Sequence, residues 1–121
     1  MPSTTPRARR ALLDTPAADE VRVTTAPAEE ALAVDSLRAE AQMMRDAHRA
    51  LSHGDSAGAL SLLDAHSLQF AGGMLAEERA ALRARALCVA GRAAEGRAAA
   101  EAFARAYPQS VHGARVAADC Q

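Results

Sequence analysis

The sequence contains no Lys, Ile or Trp, only two Phe and one Tyr, and two Cys in 121 residues. Each shortage excludes something. All 14 basic residues are Arg and they face 15 acids, for a formal net charge of −1. No charge excess therefore favours a nucleic-acid backbone or an anionic membrane surface. The scarcity of aromatics also removes the platforms on which bases stack. Cys88 and Cys120 are too few and too far apart for a disulfide scaffold or a zinc knuckle. Cys88 lies between Leu87 and Val89 with no Cys/His signature around it, and reads as a buried structural thiol rather than a nucleophile. No stretch approaches the roughly 20 apolar residues that a membrane span needs. In "RARRALL" the apolar run is cut off by Asp14, short of a signal-peptide core, and the basic tract reads as solvated linker or as the cytosolic or juxtamembrane flank of a missing anchor. These features predict a chain that is soluble and cytoplasmic as written, without direct membrane insertion.

Ala is abundant, at 33 of the 121 residues, and the large apolar residues are chiefly Leu. Ala is the best helix former, and its small side chain lets helices approach closely with little void. An all-α fold with a thin, tightly packed core follows. The length suits one domain.

Residues 1–34 hold four of the five prolines and a weak apolar pattern, which predicts a disordered leader, with Pro27 suited to open a short helix over Ala28–Ala33. The folded domain is expected over 35–121. Its first helix is expected from about Ser36 to Ser52, with Leu37, Ala41, Met44, His48 and Leu51 on one face. Gly54 ends it, and Asp55 fits the N-cap of a second helix to about Phe70. After "AGGM", a third helix runs over about Leu75–Ala90, with Leu75, Leu82, Ala86 and Val89 inward. Gly91 stops it. A fourth spans about Ala93–Ala106 before Pro108, and a last one about Ser110–Cys120 carries Val111, Ala114 and Val116.

"ALSHGDSAGALSLLDAHSLQF" (Ala50–Phe70) returns 37 residues later as "LCVAGRAAEGRAAAEAFARAY" (Leu87–Tyr107), with Gly91 on Gly54, Arg92 on Asp55, Gly96 on Ala59, Phe103 on His66 and Tyr107 on Phe70. Two helix pairs, each with Gly at its inner turn and the second closed by an aromatic residue and Pro108, resemble the tetratricopeptide repeat over roughly Glu40–Cys120. In that register Ala47, Ala84, Ala59 and Gly96 hold the small-residue positions. Leu63 and Ala100 hold the large apolar one. The pattern departs from the family in having Ala71 for the first closing proline, no Trp, and a spacing of 37 rather than about 34, which places the extra residues around Ala71–Met74. The resemblance is to divergent repeats of bacterial envelope and assembly proteins. It implies a short stack of antiparallel hairpins, a TPR-like α-solenoid of about five helices.

What the resemblance implies for function is a non-enzymatic scaffold that binds a protein or peptide partner on the face lined by the first helix of each pair. The register selects Met44, His48, Ser52, Glu78, Arg85 and Val89 for that face. Met44 and Val89 fit equally as core. Arg85 is expected to offer its guanidinium to a partner carboxylate, or else to pair with Glu78. The alternative is a self-associating regulatory or envelope-assembly domain, the C-terminal part of a membrane-anchored protein and a possible homo-oligomer.

No catalytic residue, metal ligand or cofactor is expected. The four histidines, His48, His53, His66 and His112, lack a ligand spacing and are expected at the surface or its boundary. Glu77 and Glu78 point about 100° apart on a helix and suit its positive N-terminal end better than acid–base chemistry.

Overall fold

The computed structural model describes the backbone of residues 4–121 and the side chains from Pro27 onward. The protein is all-α, with five helices among the described residues: α1 (Thr4–Ser52), α2 (Ser56–Gln69), α3 (Ala76–Val89), α4 (Ala93–Ala106) and α5 (Gly113–Asp119). The chain divides into two units, Met1–Ser36 and Leu37–Gln121. The core and the candidate site belong to the second.

The repeat in the sequence is a repeat in backbone geometry. Gly54 and Gly91 take φ of +82° and +83°, the left-handed region where a side chain is strained. Each is followed by the same bond, from Asp55 N to Ala50 O at 2.8 Å and from Arg92 N to Leu87 O at 3.0 Å. Asp55 caps α2 by accepting the Gly58 N–H at 2.8 Å. Arg92 has no acceptor to offer α4. It reaches Glu95 instead with two bonds of 2.7 and 2.8 Å, which hold that carboxyl below its ordinary range in the first turn. The hairpins also end alike: Phe70 and Tyr107 donate to His66 O and Phe103 O, both at 2.8 Å, and each ring pair sits 5.4 Å apart.

The order of residues through the core fixes the helix directions. One cluster joins Met44 and Ala47 of α1 to Leu63 of α2 and Leu82 of α3. The next joins Ala50 and Leu51 to Ala59 and Leu60, and to Ala86 and Leu87. Residue numbers rise along α1 and α3 while they fall along α2, so α2 is antiparallel to its neighbours. A third cluster brings Phe103 of α4 and Val116 of α5 onto Ala81 and Ala84 of α3. Leu63 and Leu82 are 1 % exposed, each stabilising the fold by about 2 kcal/mol. Ala47, Ala59, Ala84 and Ala86 are fully buried where helices touch. Gly96 takes the same role between α4 and α3, since a Cβ there meets the Cys88 sulfur and backbone.

Three expectations are corrected. First, α1 starts well before Ser36, because from Ala28 through Ser52 no Pro or Gly stops it; the residues of 27–39 are exposed. The expected leader otherwise falls largely on side chains outside the described residues. Second, α5 opens at Gly113 rather than Ser110, because two successive turns, Ser110 N to Tyr107 O and Gly113 N to Ser110 O, use up the preceding residues and leave Val111 89 % exposed. Third, Cys88 is not a free thiol. It is bonded to Cys120, with Cα atoms 5.1 Å apart, because α5 folds back along α3 and brings a distant residue beside it.

Candidate functional site

Helices α1, α3 and α5 frame one surface groove. A cavity of about 360 Å³ is lined by His48, Leu51 and Ser52 of α1, Arg85 and Val89 of α3, and Arg115 and Asp119 of α5. A second, of about 300 Å³, shares His48, Arg85 and Arg115 with it and adds Glu78, Ala81, Leu82, Val111 and His112. Five of the six residues selected from the repeat register thus lie along one groove. Met44 does not. It is 2 % exposed in the α1–α2–α3 core, because its position on the helix turns it towards Leu63 and Leu82.

The floor of the groove is already paired. His48 Nε2 and Glu78 Oε2 are 2.8 Å apart and bridge α1 to α3. Arg85 does not pair with Glu78, nor does it wait for a partner. Its Nε donates to Asp119 Oδ2 at 2.7 Å, with the two side chains 15 % and 25 % exposed, and so ties α5 to α3. Arg115, on the exposed wall, has no ion pair among the described residues. Val89 and Val111 are 52 % and 89 % exposed at the groove. The surface therefore offers one uncommitted guanidinium and two aliphatic side chains, on a base whose polar side chains are hydrogen-bonded to one another. Among the described residues no group of three or more His, Cys, Asp or Glu is arranged to hold a metal ion, and no helix is long and apolar enough to cross a membrane.

A second polar cluster, which the reading of the sequence missed, lies in the core. Glu40 and His66 are 2 % and 0 % exposed, with His66 Nε2 3.3 Å from Glu40 Oε2. The Glu40 carboxylate accepts the N–H groups of Met74 at 3.2 Å and Leu75 at 3.3 Å, where α3 begins and negative charge is favoured. Gly73 makes this approach possible, because a Cβ there falls on the Glu40 carboxylate. Arg79 Nη1 lies 3.2 Å from His66 Nδ1 and donates to Phe70 O at 3.3 Å. A guanidinium only donates, so Nδ1 is the acceptor and the ring proton sits on Nε2, facing Glu40. Burial lowers the His66 pKa; Glu40 opposes that shift and Arg79 reinforces it. Nδ1 thus has a partner in Arg79, while Nε2, buried 3.3 Å from Glu40 Oε2, makes no hydrogen bond of its own. His66 is the exception to the expected surface placement of the histidines, and its burial leaves one ring nitrogen, Nε2, without a hydrogen bond.

The signal for this cluster was present in the alignment of the two copies: His66 stands where the second copy has Phe103. One junction is closed by a polar set, the other by Phe103 with Ala81, Ala84 and Val116. Neither cluster has the separated nucleophile, base and oriented partner of a catalytic site. No protein-family model matches the chain, and neither a curated protein nor a solved structure matches it.

Proposed function

We propose that the protein is a small helical scaffold of tetratricopeptide-like type that binds a peptide or helix of a partner protein in the α1–α3–α5 groove, without catalysis. The observation that carries this reading is the pairing pattern of the groove. Its floor side chains are paired with one another, His48 with Glu78 and Arg85 with Asp119, whereas Arg115 is left over beside the exposed Val89 and Val111. A surface of that kind favours a segment with an acidic side chain flanked by aliphatic ones, held by a charge-assisted bond and by apolar burial. The equivalence of the two hairpins, from the glycine turns to the closing aromatic pairs, supports the repeat reading.

The test is selection from a displayed library of 12-residue peptides against the full chain. Enriched peptides are expected to combine acidic and aliphatic residues and to lose binding to Arg115→Glu and to Val89→Arg. Equal binding to both variants overturns the reading. One observation favours the second reading, self-association: Leu32, Val34 and Leu37 are 70 %, 52 % and 42 % exposed within a short stretch of α1. Gel filtration over a range of concentrations supports it if a dimer appears that Leu32→Glu abolishes, and contradicts it if the chain stays monomeric throughout.

A further inference from the structure

The wall of the groove formed by α5 is weakly held by its own packing. The helix has seven residues, too few to persist without outside contacts, and Val116 is its only buried residue. Two side-chain links tether it to α3: the Arg85–Asp119 ion pair and the Cys88–Cys120 disulfide, which grips the residue directly after the helix. The disulfide is reachable. Both cysteines are half-buried, and they line an open cavity of about 50 Å³ with Ala93, Arg97, Asp119 and Gln121. On the far side Gly96 is packed tightly against Cys88, so approach is from the C-terminal end of the chain. Arg97 is exposed at this opening, where its positive charge favours a thiolate. Asp119, in the same wall, has its carboxylate engaged by Arg85.

We propose that the Cys88–Cys120 disulfide is a thiol–disulfide exchange site for small thiols, and that its reduction releases α5 and dismantles the groove. In the exchange a thiolate attacks Cys120 Sγ, forms a mixed disulfide with it and expels Cys88 as a thiolate. A second thiolate attacks the sulfur of the bound reagent and expels Cys120. Two thiols are thereby oxidised to one disulfide, the protein gains two electrons, and the two protons of the reagent end on the two cysteines. Release of α5 removes Arg115 and Asp119 from the groove and leaves Arg85 without its partner. The oxidised chain is the binding form and the reduced chain the silent one. This functional consequence rests on the groove reading above.

The experiment treats the native full chain with 2-mercaptoethanol, titrates thiols without denaturant, and follows helicity and amide hydrogen exchange. Two thiols per chain are expected to appear with helicity largely retained. Exchange at Val116 and Cys120 should accelerate on the order of tenfold or more, while Leu82 to Leu87 stay protected. The Cys88→Ser/Cys120→Ser double variant should show the same pattern with no reagent present. Reduction only in denaturant, reduction with loss of all protection, or undiminished protection of α5 after reduction would each overturn the proposal. Exchange is read without any peptide. Failure of the lock therefore leaves peptide binding by the oxidised chain untouched, and failure of peptide binding leaves the exchange result standing.

Discussion

Replacing Gly73 by Ala isolates the buried carboxylate from everything else in the fold. The added methyl falls on the Glu40 carboxylate, which must leave a position where it is 2 % exposed and accepts the Met74 and Leu75 N–H groups at 3.2 and 3.3 Å. Bonds to a charged group contribute about 1.5–3 kcal/mol each, and these two are long. Water at the half-buried loop replaces part of what is lost. Against the loss stands a gain of roughly 0.4–1 kcal/mol, because Ala restricts the unfolded chain more than Gly does. The net expectation is a destabilisation of about 2 kcal/mol. Gly72, one residue earlier, has open space where its Cβ would stand, so Gly72→Ala should be neutral or slightly stabilising. Urea unfolding followed by circular dichroism resolves the two. With a slope of about 1–2 kcal/mol per molar for a small domain, the midpoint for Gly73→Ala should fall by roughly 1–2 M while that for Gly72→Ala does not fall. The decisive arm is a double-mutant cycle: in a Glu40→Ala background the cost of Gly73→Ala should vanish. An undiminished cost there, or equal effects at positions 72 and 73, would refute the reasoning.

Other consequences are equally open to measurement. Burial lowers the His66 pKa below its ordinary 6.5, so the unfolded chain takes up the proton first as pH falls. Stability should accordingly decline from about pH 6.5 downwards, by at most about 1.4 kcal/mol per pH unit, and melting curves between pH 7.5 and 5.5 should show a shallower slope for His66→Gln. Ala47 and Ala59 are fully buried and Ala57 is exposed, so Leu at either of the first two should cost roughly 1–3 kcal/mol by overpacking, while Ala57→Leu should leave the melting temperature nearly unchanged. A Cβ at Gly96 meets the backbone of Cys88 as well as its sulfur, so Gly96→Ala should cost a similar roughly 1–3 kcal/mol by prising α4 from α3, whereas Gly113→Ala, with open space around it, should not.

The hairpins were legible because their determinants are local. A glycine in a left-handed turn and an aspartate cap announce themselves over four or five residues, and the second copy repeated the first at Gly91. The small-residue contacts at Ala47 and Ala59 followed from the register. What stayed hidden depends on separations that a chain does not display. Cys88 and Cys120 stand 32 residues apart, and only the return of α5 along α3 makes them neighbours. Glu40 reaches Leu75 across 35 residues, through a space that exists because Gly73 has no side chain. Arg85 lines the groove but pairs with Asp119, which arrives on the same returning helix and is 34 residues away in sequence. Met44 and Val89 share the apolar periodicity of their helices, yet one is core and the other rim. Periodicity gives a face, and only the neighbouring helices decide how far around that face burial extends.

Recognition in the α1–α3–α5 groove is the proposal on which the functional reading stands or falls. Its most direct test is a nuclear magnetic resonance titration of the isotope-labelled, oxidised full chain with the best peptide from the display selection. Backbone resonances of His48, Ser52, Val89, Val111 and Arg115 are predicted to shift together and saturably, with little change along the outer residues Ala57, Asp64 and Glu101. Shifts confined to α2 and α4, or no saturable shifts at the groove, would contradict it.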